Sequence, residues 1–301
     1  KFSSNFFLMP ISLFYLLLLT IKSFFFLRKK KINILISTGG YMSIPLCIAA
    51  KILSIEIYLF EPNMVLGRSN NFFLQFSKKI FCYSNEIINF PKKYFNKIIL
   101  IEPLLRKEFY DISSKKNNEI NNNIKILIIG GSQGAEVFDT EVKKTIVQLS
   151  KKYKINIYQQ TTKENIKILK NFYKKNNILF NLFTFEEKFS NYIKDTNLCI
   201  TRAGASTLSE LTFLNIPYIA IPYQEAKDNH QFENALYYEN KNCCWIFNQK
   251  DLKSDLLLNF LEKIIKNKDD YLTKKKNMKK LSNKNSWNKI NQKLINVLNE
   301  N

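Results

Sequence analysis

Lys125-Ile126-Leu127-Ile128-Ile129-Gly130-Gly131-Ser132-Gln133-Gly134-Ala135 and Leu198-Cys199-Ile200-Thr201-Arg202-Ala203-Gly204-Ala205-Ser206-Thr207-Leu208-Ser209-Glu210 decide how this chain is read. In each, a short apolar run rich in β-branched residues reads as strand, a glycine turn follows, and helical spacing begins at once. A glycine strand-to-helix turn lets the backbone approach an anion closely, and the N–H groups of the helix's first turn point at it. One such turn often serves packing alone. Two in one unit, the second with a carboxylate one turn into its helix, point to a ligand site.

Outward from these segments, strand-like and helical runs alternate almost throughout, the pattern of parallel sheets covered on both faces. The expected strands are Ile32 to Ser37, Ile55 to Phe60, Ile80 to Tyr83 and Ile98 to Ile101, then Lys125 to Ile129, Ile155 to Gln159, Ile178 to Phe183, Leu198 to Thr201, Tyr218 to Pro222 and Cys243 to Phe247. Between the two series, residues 113–123 are rich in Asn and Lys, can bury little, and read as a linker. The expected organisation is α/β: a doubly wound Rossmann-like domain over 1–112, a second over 124–285, and a last amphipathic helix over 286–301 that returns to the first. Such a pair places a ligand in the cleft facing the strand C-terminal ends.

The chain has 301 residues, 46% of them hydrophobic, with 46 Lys and Arg against 25 Asp and Glu, a net charge of +21. That charge suits an anionic membrane or phosphorylated substrates, but Lys, Asn, Ile and Phe are abundant everywhere, so it names no partner by itself. The lysines do not gather into one arm, and no zinc-finger spacing or RNA-recognition signature occurs, so nucleic acid is not expected. Cys47, Cys82, Cys199, Cys243 and Cys244 form no CxxC pair and read as reduced thiols of a cytosolic protein.

Ile11 to Leu27 is nearly all apolar and ends in Arg28-Lys29-Lys30-Lys31. Basic residues follow the run instead of preceding it, unlike a signal peptide. Its length allows a membrane span, against which stand Lys22 within the run and a strand that begins at once. The preferred reading is a helix packed on its own domain with its outer face in the bilayer surface; a true span and an ordinary buried helix are the alternatives.

Glu210 suits the ribose diol of a nucleotide, or merely the positive end of a helix dipole. Asp228 suits an N-cap, and Gln231 and Asn234, three apart on the next helix, suit sugar hydroxyls or a solvated face.

With these residues in view, the chain resembles the MurG family, bacterial glycosyltransferases that move N-acetylglucosamine (GlcNAc) from UDP-GlcNAc onto lipid I, undecaprenyl-pyrophosphoryl-MurNAc-pentapeptide. The resemblance rests on the turn with Ser132, on Arg202 to Glu210, and on His230-Gln231-x-x-Asn234-Ala235. It extends to Thr38-Gly39-Gly40-Tyr41-x-Ser43-x-Pro45, Glu61-Pro62-Asn63 and Leu66-Gly67-Arg68-Ser69-Asn70. It covers nearly the whole chain in the same order.

The resemblance implies a GT-B fold and synthesis of lipid II for peptidoglycan, at the cytoplasmic face of the inner membrane as a peripheral protein. It implies that Glu210 holds the uridine ribose, with Ala205, Ser206, Thr207, Leu208 and Ser209 around the pyrophosphate and nucleoside. Phe185 and Glu186 would lie by the uracil. Ser132 and Arg106 would face the diphosphate, and Asn63, Gln231 and Asn234 the GlcNAc. Gly39, Gly40, Tyr41 and Ser43 would meet the acceptor pyrophosphate. The apolar helix would match the family's membrane-seating patch.

Three departures stand out. The family opens with a strand and a GGTGGH-type loop carrying a candidate base, and Lys1 begins after it, which leaves the catalytic base unknown; His230 reads as a donor contact. Glu102-Pro103-Leu104-Leu105-Arg106 stands where the family has Asn-Pro-x-Arg. The first sheet is expected without its first strand. No Asp-x-Asp pair occurs, so no metal or cofactor is expected, and helix ends with Arg106 would stabilise charge growing on the leaving diphosphate. The alternatives are a related GT-B enzyme acting on another lipid, and a nucleotide-sugar-binding fragment without catalysis.

Overall fold

The structure, a computed structural model, describes residues 9–112, 120, 123–131, 136–184, 190–193, 195–253 and 255–300. It divides into two compact units: Lys1–Glu102 with Ile290–Asn301, and Pro103–Lys289.

The first unit opens with α1 (Met9–Lys29), then runs β1 (Ile34–Ser37), α2 (Ile44–Ile52), β2 (Glu56–Glu61), α3 (Arg68–Phe73), β3 (Lys79–Cys82) and β4 (Ile98–Leu100). All four strands are parallel, in the order β1-β2-β3-β4. Ile57, Leu59, Ile80 and Cys82 form the buried centre with Cys47, Ala49 and Ala50 of α2.

Against α2, helix α1 turns a stripe made of Ser12, Leu16, Thr20, Ser23, Phe24 and Leu27. Its spacing of three and four residues is that of one helix face. Small hydroxyl side chains thus face the protein, and the Thr20 hydroxyl donates to the Leu16 carbonyl at 2.8 Å. Large apolar ones face out: Phe14, Tyr15, Leu17 and Phe25 are 57–62% exposed. A soluble amphipathic helix would carry polar side chains on that outer face, so α1 is not the ordinary buried helix that was one alternative.

The second unit contains α4 (Lys107–Ile112), β5 (Asn123–Ile129), α5 (Lys143–Ser150), β6 (Lys154–Gln160), α6 (Lys163–Lys175), β7 (Leu179–Phe183), α7 (Ser190–Ile193), β8 (Leu198–Thr201), α8 (Ala205–Phe213), β9 (Tyr218–Ala220), α9 (His230–Asn240), β10 (Trp245–Ile246), α10 (Leu256–Lys266) and α11 (Lys268–Ser282). Helix α12 (Trp287–Asn299) begins at its end. The sheet is wholly parallel, in the order β10-β9-β8-β5-β6-β7. Helices bury both faces: Ile126, Ile128, Ile157 and Ile200 pack one core, Leu127, Ile129, Cys199 and Tyr218 another. That two-sided burial explains why these strands read as unbroken apolar runs.

Local chemistry marks the helix ends. Thr162 caps α6 by accepting the Asn165 N–H, with Glu164 in the first turn and Lys174 and Lys175 in the last. Asn267 caps α11 in the same way, with Asp269 and Asp270 opening it and Lys279 and Lys280 closing it. Both follow the macrodipole.

Candidate functional site

The order of the second sheet reverses at β5, which has β6 on one side and β8 on the other. Ligands of doubly wound sheets bind beyond the strand ends at such a reversal. Ile129 pairs with Thr201, and the Arg202 N–H donates to the Ile129 carbonyl at 3.2 Å. Both glycine turns therefore leave the sheet side by side. Gly131 has φ +82° with open space where a Cβ would project, a conformation that favours glycine. Ser132 lies outside the described residues, as do Phe185 and Glu186.

The second turn passes through Gly204, the N-cap of α8 with extended backbone. Ser206 is exposed, while Ala205 and Thr207 are half-buried. The first N–H groups of a helix have no intrahelical acceptor, so this end is an anion seat in form. Further in, Leu208 packs into the core and the buried Ser209 hydroxyl is 2.9 Å from the Tyr238 hydroxyl.

Glu210, in the second turn of α8, has a side chain only 12% exposed. Arg106 grips it with both arms of its fork: Nε donates to Oε1 and Nη2 to Oε2, each at 3.2 Å. Burial pushes the Glu210 carboxyl above its ordinary value, partly offset by the Arg106 charge. Arg106 precedes α4, whose Phe109 is fully buried, and its guanidinium lies 4.5 Å from the Phe109 ring centre. The two residues assigned separately to ribose and diphosphate are thus neighbours in the described structure.

Helix α9 begins one residue later than a cap at Asp228 would require. Asn229 is the N-cap, and Asp228 and Asn229 both adopt left-handed backbone, φ 54° and 55°. Asp and Asn tolerate that region, so the kink moves the cap. Asn234 is buried and its amide donates to the Ala203 carbonyl at 3.1 Å, tying α9 to the second glycine turn. Gln231 accepts the Tyr223 N–H at 2.9 Å. His230 opens α9, half-buried.

Two features escaped the sequence reading. Arg202 is buried, and its Nη1 donates to the Ile221 and Pro222 carbonyls at 3.1 and 3.4 Å. Its guanidinium lies between Phe138 and Tyr223, 5.1 and 5.3 Å from their ring centres. Burial lowers its pKa, yet Arg stays charged throughout the working range, so a cation stands where the two turns begin. The second feature is the π-turn Phe138–Val142 that leads into α5. There the buried Asp139 carboxylate accepts from Gln159 Nε2 at 2.8 Å, Thr161 Oγ1 at 2.6 Å and Asn165 Nδ2 at 2.8 Å. These bonds pin the segment after the first turn to β6 and α6. Only the residue types were visible in sequence; the partners lie 20–26 positions away.

In the first unit, Gly39 and Gly40 both have φ +79°. A Cβ on Gly39 would meet the Asn70 amide at 3.1–3.2 Å. Ser43 donates to the Gly40 carbonyl at 2.8 Å, while Tyr41 is 48% exposed. Below the loop, the buried Glu61 carboxylate receives the Asn63 N–H and amide, the Gly67 N–H and the Asn70 amide at 2.8–3.2 Å. Glu61 therefore holds Asn63 and the start of α3 in one arrangement.

Residues 125–292 match the glycosyltransferase family 28 C-terminal domain, and residues 2–82 the glycosyltransferase family 28 N-terminal domain. Over 299 residues the chain is 53% identical to the UDP-N-acetylglucosamine--N-acetylmuramyl-(pentapeptide) pyrophosphoryl-undecaprenol N-acetylglucosamine transferase of Pelagibacter ubique, covering 99% of this chain and 83% of that one. The Rickettsia canadensis enzyme of the same name is 34% identical, over 79% of this chain and 68% of its own. Among solved structures, Acinetobacter baumannii MurG superposes with a TM-score of 0.71 at 22% identity, over 94% of this chain and 79% of that one. Its fold is that of this chain: two parallel-sheet α/β domains of the GT-B kind.

Proposed function

The chain belongs to glycosyltransferase family 28, and from that premise we propose that it transfers GlcNAc from UDP-GlcNAc to lipid I, making lipid II for peptidoglycan. One observation carries the donor half: two glycine turns rise from paired strand ends at the reversal of the second sheet, with the buried Glu210 carboxylate behind them. In this reading Glu210 accepts from the ribose hydroxyls. The N–H groups of Ala205, Ser206 and Thr207 receive the diphosphate together with the turn at Ser132 and with Arg106. Phe185 and Glu186 lie by the uracil, Leu208 and Ser209 line the nucleoside side through their backbone, and Gln231, Asn234 and Asn63 serve the sugar. The loop Gly39, Gly40, Tyr41, Ser43 receives the acceptor pyrophosphate.

Chemically, the anomeric C–O bond to UDP breaks as the MurNAc 4-hydroxyl oxygen bonds from the opposite face, inverting the centre. UDP leaves with the bonding electrons, and the hydroxyl proton departs to a base. Dipoles and Arg106 aimed at the diphosphate are worth more in a site shielded from water than in solution. The acceptor is a lipid, and α1 with its outward Phe14, Leu17 and Phe25 and its exposed Arg28 to Lys31 supports peripheral seating on the cytoplasmic face of the membrane.

The test is transfer of radiolabelled GlcNAc to lipid I in mixed micelles. Product bearing the inverted linkage is the expected result; labelling of diacylglycerol instead, or UDP-GlcNAc binding with no transfer to either lipid, would overturn the assignment.

A further inference from the structure

We propose that Arg106 is a specificity-determining latch: its fork occupies the Glu210 carboxylate, and a ligand must bring phosphate charge as well as a ribose diol to release it. The inference rests on the reading of Glu210 as the ribose-binding group. Arg106 uses both carboxylate oxygens at 3.2 Å. A vicinal diol seeks the same two oxygens, which the fork already covers on a largely buried side chain, so guanidinium and ribose compete for them. The two partners are unequally free. The Glu210 side chain is 12% exposed and rooted in α8, whereas that of Arg106 is 40% exposed on a flexible stem. Arg106 is therefore the partner that moves.

The exchange differs between ligands. A nucleoside offers Glu210 two neutral hydroxyl donors in place of a cation and sends Arg106 into water. A nucleoside diphosphate offers Arg106 anionic phosphate oxygens that match its planar fork. The ion pair thus opposes the nucleoside alone and passes to the phosphates of the complete ligand. Glu108 Oε1, 3.8 Å from Arg106 Nη1, is a nearby carboxylate that Arg106 can engage during the exchange.

Arg106→Met removes the charge and keeps an aliphatic stem over Phe109. Titrations of the full chain with uridine, 2′,3′-dideoxyuridine and UDP, read by NMR for the weak ligands and calorimetry for UDP, should move in opposite directions. In the variant uridine binds about fivefold tighter, a partly exposed ion pair having been removed, while UDP binds at least about tenfold weaker, a bidentate charged contact having been lost. Arg106→Lys, which keeps the charge without the fork, should fall between for both ligands, and circular dichroism checks that each variant is folded. Uridine affinity unchanged or reduced in Arg106→Met would overturn the latch. If wild type does not prefer uridine to the dideoxy analogue, the ribose reading of Glu210 fails instead.

Discussion

Replacing Phe14 and Phe25 together by alanine should weaken binding of this protein to anionic vesicles about fiftyfold. The two side chains project from α1 at 59% and 62% exposure. Fully burying a Phe is worth ~3 kcal/mol, so immersing the part still exposed is worth ~1.8, of which an alanine methyl keeps about a third. About 1.2 kcal/mol is lost at each position, ~2.4 for the pair, and 1.4 kcal/mol is a factor of ten. Neither residue belongs to the stripe that packs on α2, so the fold should be unaffected. Co-sedimentation with sucrose-loaded phosphatidylcholine–phosphatidylglycerol vesicles gives the partition coefficient, and thermal unfolding gives the control. Salt should weaken the binding of both proteins, since Arg28 to Lys31 lie exposed at the end of the same helix and each contributes roughly 1 kcal/mol at an anionic surface. A double variant that binds within about twofold of wild type, with Tm unchanged, would refute the outward apolar face as the membrane contact.

Asp139→Ala leaves two buried donors, Gln159 and Thr161, and the half-buried Asn165 without their acceptor and should cost about 3–5 kcal/mol, read as a lower urea midpoint in tryptophan fluorescence, since Trp245 and Trp287 both belong to the second unit. Gly39→Ala forces a side chain into left-handed backbone against the Asn70 amide; acceptor KM should rise while UDP binding by calorimetry is unchanged. Glu210→Gln should abolish UDP-GlcNAc binding yet stabilise the empty protein at neutral pH. The sign follows from burial: the folded carboxyl titrates above its ordinary 4.5, so the ionised form is destabilising. The gap between Tm values of variant and wild type should therefore close as pH falls through the raised folded value to below 4.5. All five cysteines are buried, with Cys82 pushed up to about 12 and Cys243 to about 11; a chromogenic disulfide at pH 8 should label them only after denaturation.

The strands were legible because a sheet buried on both faces leaves unbroken apolar runs, and Leu198–Thr201 has the expected bounds. Ends were less so. Tyr218 to Pro222 stops at Ala220, and Cys243 to Phe247 contracts to Trp245–Ile246, because the apolar runs extend beyond the paired register. The glycine turns and Glu210 carry their chemistry in adjacent residues and could be found by reading along the chain. The Arg106 grip on Glu210 spans 104 positions and the Asp139 bonds 20 or more, and no local pattern encodes such meetings. Helix α1 shows the same limit differently. Apolar nearly all round, it gave no periodicity from which to choose a face, and the face it buries is marked by Ser12, Thr20 and Ser23, residues that hydropathy would have turned outward.

The central place of β5 bears on how the protein is made. It is the first strand of its sheet to leave the ribosome, yet one neighbour, β8, follows only after about seventy more residues, roughly 4–14 s of synthesis at ~5–20 residues per second. Throughout that interval one edge of Ile126-Leu127-Ile128-Ile129 has no ladder partner from this sheet, an invitation to pair with a stranger. The seat that joins both turns is therefore among the last things the nascent chain completes, and any chain released before Thr201 ends with its stickiest strand uncovered.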